Sequence, residues 1–158
     1  MPSLIPGMPG TKEAYGISLL RDNGSIIIPP KAFGRYKLTD NDTVLLTSTH
    51  IGEGGLSIIN LEMAYKSIFK NAIDRIKMPD IAMWNNNRAY ALTKIFQNKV
   101  VLNDVLIQTF NLKKGDKLMV IKSTTMAMSF TPIEIWEKKF KDRDLYEAIE
   151  NMKQLVIY

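Results

Sequence analysis

Short aliphatic runs bounded by turn-forming residues predict strands at residues 15–20, 26–28, 43–47 and 56–59. Asn23-Gly24 favours a tight hairpin turn between the first two. Pro29-Pro30 closes the second strand, because proline has no N–H for a ladder and suits the first turn of a helix. Ala32, Phe33 and Tyr36 then give a two-turn helix its apolar side, and Leu38-Thr-Asp-Asn-Asp turns the chain into the third strand. Over residues 61–76, apolar positions from Leu61 to Ile76 recur at helical spacing. They predict one amphipathic helix that stops at Met78-Pro79.

The same pattern recurs 74 residues later. Gly24-Ser-Ile-Ile-Ile-Pro falls on Asn98-Lys-Val-Val-Leu-Asn, Phe33 on Ile107, Tyr36 on Phe110, Leu38 on Leu112 and Asp42 on Asp116. Phe96-Gln-Asn-Lys replaces the first turn, and Asn103-Asp104 replaces the prolines with side chains that can cap a helix. Strands at 117–122 and 123–130 complete the second copy. Thr131-Pro-Ile-Glu reads as a capping box before a helix with Ile135, Trp136 and Phe140 on its apolar side, and a last helix spans 144–154. By this alignment Ile27 and Val101 are equivalent and belong to the apolar centre.

The expected organisation is a flexible arm at 1–14, a first repeat with its helix at 15–77, a linker at 78–88 and a second repeat with its helices at 89–158. Small strand sets with exposed edges are poor independent domains, so the two units are expected to interlock as an intramolecular pseudo-dimer.

The order of strand, Asp-Asn-Gly turn, Ile-Ile-Ile-Pro, short helix, Leu-Thr-Asp-Asn-Asp and strand resembles the AbrB/MazE/SpoVT swapped-hairpin family. The duplication, followed by Phe130-Thr-Pro-Ile-Glu-Ile-Trp, is more similar to its two-repeat MraZ-like branch. The resemblance implies a mainly β fold with short helices (α+β). In it, duplicated βαβ-type swapped-hairpin units form a pseudo-dimeric barrel with peripheral helices. It further implies a DNA-binding transcription regulator that assembles as a homo-oligomer. The family arginine after the turn glycine is Ser25 here, and Phe33 holds the first helix arginine position; Lys99 is basic at the post-turn place of the second unit.

Composition narrows the chemistry. The 158-residue chain is 46% hydrophobic, enough for a sizeable core. It has no cysteine, which excludes disulfides and thiolate metal sites, and no long apolar or secretory segment, so a cytoplasmic protein without membrane association is expected. The net charge of +5 is modest and there is no basic tail, so duplex binding has to come from placement. Arg21, Lys31, Arg35 and Lys37 flank the first turn and helix, Lys94 and Lys99 the second, and Asn23 or Asn98 could reach a base edge. The competing reading is a protein-interaction or assembly module in which these residues form a solvated charged face. The apolar positions of 61–76 add an expectation of self-association. Catalysis has little support. His50 is the single histidine, and His50 with Glu53 and Ser48 or Ser57 lacks the spacing of a known nucleophile motif. No metal is expected, since one histidine beside one carboxylate falls short of the three or four ligands of a zinc site, and no cofactor, since the glycines at 52–55 lack the lysine and hydroxyl of a phosphate loop.

Overall fold

The computed structural model describes residues 13–49 and 53–158, so nearly all of the expected arm, and His50, lie outside the described residues. The strands are β1 (Ala14–Leu19), β2 (Ser25–Ile27), β3 (Thr43–Ser48), β4 (Leu56–Asn60), β5 (Met83–Asn85), β6 (Arg88–Lys94), β7 (Lys99–Val101), β8 (Lys117–Lys122) and β9 (Ala127–Pro132). The helices are α1 (Pro30–Arg35), α2 (Leu61–Tyr65), α3 (Lys70–Arg75), α4 (Asp104–Thr109), α5 (Ile133–Asp142) and α6 (Tyr146–Lys153). No helix among the described residues is long and apolar enough to cross a membrane.

Seven strands make one antiparallel sheet in the order β1-β8-β9-β4-β3-β6-β5, and β2 pairs with β7 in a separate two-stranded ribbon. The two repeats interleave in this order, with hairpins β8-β9 and β4-β3 side by side: β1 pairs with β8, β4 with β9 and β3 with β6 across the repeats. The expected barrel does not form. β5 pairs along the outer edge of β6, and the backbone of residues 156–158 bonds along the outer edge of β1, with Tyr158 N–H donating to Ile17 O at 2.7 Å. The two edges that a barrel would have to join are therefore occupied by other segments. The sheet stays open, and helices and strands occur in similar amounts, so the fold is mixed α/β rather than mainly β. This topology overturns the barrel fold class and the resemblance to the AbrB/MazE/SpoVT family and its MraZ-like branch on which it rested.

Period-two alternation sets the two faces of the sheet. Leu46, Leu56, Ile58 and Phe130 face the ribbon and the short helices α1 and α4, where they meet Ile26, Tyr36, Val100 and Phe110 in the largest core cluster. On the other face Met119 and Ile121 pack under α5 and α6, while Leu45, Ile59 and Tyr90 pack with the α2–α3 segment. The Tyr36 phenol is buried in this arrangement and donates to Ala127 O at 3.1 Å.

The repeat reappears in the hydrogen bonds. Thr39 N–H donates to Asp42 Oδ2 at 2.9 Å and Lys113 N–H to Asp116 Oδ2 at 2.8 Å, each side-chain acceptor closing the turn before β3 or β8. Asn103 caps α4 as expected, its Oδ1 accepting from Leu106 N–H at 2.8 Å. Upstream of the turns the spacing becomes 75. Leu20 N–H donates to Asp116 O and Ile95 N–H to Asp42 O, both at 2.9 Å, so the first turn carries one residue more than the second. In the shorter turn Gln97 and Asn98 both take left-handed backbone, at φ 51° and 60°, where an asparagine and a glutamine stand in for glycine.

Four local expectations are corrected. Residues 61–76 form two short helices, because Ser67 Oγ donates to Ala64 O at 2.6 Å and accepts from Phe69 N–H at 3.2 Å, closing a turn between them. Ile68 of the supposed apolar stripe is consequently exposed. Thr131 lies in β9 and Pro132 leads into α5 without a side-chain cap, so the capping box is absent. Ile27 is half-buried and Val101 exposed, because the ribbon register turns Ile26 and Val100 inward instead. Residues 83–85 within the expected linker form β5, joined to β6 through Asn86 and Asn87 at φ 53° and 64°.

Candidate nucleic-acid interface

The β2–β7 ribbon organises the residues expected to meet nucleic acid. Its ladder pairs Ser25 with Val101, Ile26 with Val100 and Ile27 with Lys99. Exchanging the two repeats maps this ladder onto itself, so a local twofold axis passes between Ile26 and Val100. The flanking bonds obey the same relation: Leu102 N–H donates to Gly24 O and Ile28 N–H to Asn98 O, both at 2.8 Å. The two turns therefore stand at opposite ends of the ribbon.

At the first end Asn23 is exposed, its Oδ1 accepting from Ser25 N–H at 3.0 Å. Asn23 and Lys94, from different repeats, line one groove of about 500 Å3 with Asn103, Asp104, Asp80 and Lys114. Lys114 is paired with Asp104 at 3.3 Å, and Asp80 is held by Thr93 Oγ1–H at 2.7 Å. At the second end Asn98 is exposed and its N–H donates to Asp40 Oδ1 at 3.1 Å. Lys99 is half-buried beside it, and Lys31 is exposed in the first turn of α1, three residues beyond Ile28.

The remaining candidates are placed differently. Arg21 folds back onto its own chain, its Nη1 donating to Leu19 O at 3.2 Å. Arg35 pairs with Glu13 at 3.7 Å. Lys37 ends α1 in left-handed backbone at φ 54° and borders a separate hollow with Asn60, Glu62 and Lys66. The structure thus brings together Asn23 with Lys94, and Asn98 with Lys99, but not Arg35 or Lys37 with either pair.

Sequence reasoning missed Lys114. The 74-residue offset could have found it, since it places Lys114 opposite Asp40, and these two residues flank the two ends of the ribbon with opposite charge. The same offset sets Lys31 against Val105, so the cations are not symmetric. Apolar side chains also lie at these ends: Phe96 bridges Lys99 at the second turn, Val101 pairs with Ser25 beside the first and Val105 follows in α4, and they are 62%, 51% and 63% exposed.

Of the hypothetical triad, Ser48 Oγ accepts from Ala89 N–H at 3.0 Å and Glu53 pairs with Lys139 at 3.2 Å, while His50 lies outside the described residues. No group of three metal-ligating side chains occurs among the described residues. Comparison with protein families, characterised proteins and solved structures finds no match to this chain.

Proposed function

We propose that the chain is a non-catalytic DNA-binding protein, of the kind that regulates transcription, which holds duplex phosphates from the two ends of the β2–β7 ribbon. The supporting observation is the local twofold relation of the two turns, with Asn23, Lys94 and Lys114 at one end and Asn98, Lys99 and then Lys31 at the other. Protein dyads commonly match the dyads of a duplex, so each end can meet one phosphate strand. Such contacts set position and affinity while carrying little sequence information. Asp104 and Asp40 oppose the lysines locally. Binding by one chain is therefore modest and gains from a homo-oligomer that engages repeated sites together.

The test is a salt titration of binding to a random duplex, for the wild type and a Lys94→Ala/Lys99→Ala variant. The log–log slope should flatten by about one unit for each phosphate that no longer meets a lysine. A complex undetectable for the wild type at about 50 mM salt, where counterion release still favours binding, overturns the reading.

The exposed Phe96, Val101 and Val105 favour a second reading, a protein-interaction or assembly module that docks through the same ribbon. It predicts no duplex affinity at low salt. It also predicts self-association in sedimentation that a Phe96→Ser/Val101→Ser variant loses.

A further inference from the structure

On the sheet face that carries the longer helices, a groove of about 360 Å3 opens between the α2–α3 segment and the α5–α6 pair. Its floor is a row of hydroxyls. Thr47 of β3, Ser57 of β4 and Ser129 of β9 lie in register side by side, with Thr131 one pleat further along β9. On the opposite face the same strands present Leu46, Leu56, Ile58, Met128 and Phe130 to the core. Thr47, Ser129 and Thr131 are 3%, 7% and 5% exposed, so these hydroxyls sit deep in the structure. Ser57 Oγ and Ser129 Oγ are 3.1 Å apart and share one hydrogen, which leaves the second hydroxyl hydrogen free to donate elsewhere.

The walls add charge and an orphan donor. Trp136 of α5 lines the groove, and its indole N–H is buried without an acceptor among the described residues. The indole ring borders the hydroxyl floor, which makes its N–H resonance a reporter of that cavity. Lys139, also of α5, is neutralised by Glu53 at 3.2 Å and lies over the Trp136 ring, 5.0 Å from its centroid. Arg88 of β6 lines the groove without an ion-pair partner among the described residues, and contributes one uncompensated positive charge.

We propose that this groove binds an extended polyhydroxy carboxylate of about the length of a six-carbon sugar acid. The row Thr47, Ser57 and Ser129 crosses two strand spacings, roughly 10 Å, which suits a linear chain better than a compact ring. A volume of about 360 Å3 lies near the lower end for small-ligand sites. The carboxylate is taken by Arg88, whose planar guanidinium matches it with two parallel hydrogen bonds. The ligand hydroxyls meet the floor beside the Trp136 ring. The site uses neither the ribbon nor its lysines, so it stands apart from the DNA reading.

The experiment follows the indole N–H resonance of Trp136, assigned with a Trp136→Phe variant, as D-gluconate is added. Sorbitol controls for the chain without charge, and hexanoate for the charge without hydroxyls. A saturable shift with gluconate is expected, with both controls at least about tenfold weaker, as loss of a charge-assisted or several neutral hydrogen bonds implies. Arg88→Met should reduce gluconate to the level of sorbitol, and Ser57→Val/Ser129→Val to that of hexanoate. Because Arg88 is exposed, Arg88→Met should melt like the wild type, separating lost binding from lost folding. Absence of a saturable shift up to about 10 mM, weaker than any millimolar site, overturns the proposal. So does a shift of equal affinity in Arg88→Met, or one that sorbitol and hexanoate reproduce.

Discussion

Ile26 and Val100 face each other in the β2–β7 ladder, both fully buried, and each is the other's counterpart in the repeated pattern. The neighbouring Ile27 and Val101 point outward. Ile26→Ala should therefore cost about 2–5 kcal/mol of stability, the range for a truncated core isoleucine. Ile27→Asp should be tolerated far better, because its carboxylate reaches water. Urea denaturation decides between them, and a larger loss from Ile27→Asp than from Ile26→Ala would mean that the ribbon register is wrong.

Two glycines separate backbone constraint from free space. Gly24 has φ +84° and a Cβ there would collide with Leu102 O, so Gly24→Ala should cost at least about 1–3 kcal/mol and open that end of the ribbon. Gly34 lies inside α1, and a methyl group added there would meet nothing within 4 Å. Gly34→Ala should stabilise by about 0.5–1 kcal/mol through helix propensity. Paired thermal melts in opposite directions are the expected result.

Burial pushes the Tyr36 phenol well above its ordinary value of about 10. Below pH 10 both folded and unfolded chains keep the proton. Above it the unfolded chain ionises while the folded one stays protonated, so this group's stabilisation is lost as pH rises from about 10 towards the folded value. Tyr36→Phe should lose about 0.5–1.5 kcal/mol at pH 7, with its bond to Ala127 O, and show a shallower alkaline decline. Urea midpoints of both proteins at neutral and alkaline pH measure this, and parallel declines would exclude Tyr36 as the titrating group.

For duplex binding, the ion pairs rank the cations. Arg35→Ala removes a side chain already drawn to Glu13, so it should leave the salt slope nearly unchanged. Lys94→Ala and Lys99→Ala should each flatten it by about one unit. Fluorescence anisotropy with a random duplex tests the ranking, and a larger effect from Arg35→Ala would move the binding surface to α1.

Much of the element order was legible because turn chemistry is local. Asn23-Gly24, Pro30 and Asn103 act on bonds within a few residues, and the matched Asp42 and Asp116 turns kept the repeat visible. What was not legible depended on distant partners. That β5 and residues 156–158 take the sheet edges is decided by pairing with β6 and β1, which no local pattern encodes. The break at Ser67 was hidden because the apolar spacing of 61–76 continues through it, whereas a side-chain hydroxyl competes with the helix there. Of the candidate interface, sequence found Asn23, Lys94, Asn98 and Lys99 as residues but not their division between the two ends of one ribbon, and it missed Lys114. The hydroxyl row escaped notice because Thr47, Ser57 and Ser129 come from three strands and meet only across the sheet.

The interleaved strand order also governs how the chain reaches this state. Among the described strands β1 comes first, yet its ladder partner β8 begins almost a hundred residues later, at Lys117. Closing so long a loop before any pairing energy is recovered slows folding relative to a chain of local hairpins. During that interval the apolar Tyr15 and Ile17 have no sheet to join, and an unpaired strand is what neighbouring chains on a crowded ribosome can capture. Refolding from denaturant should thus be concentration-sensitive even where the native protein is not.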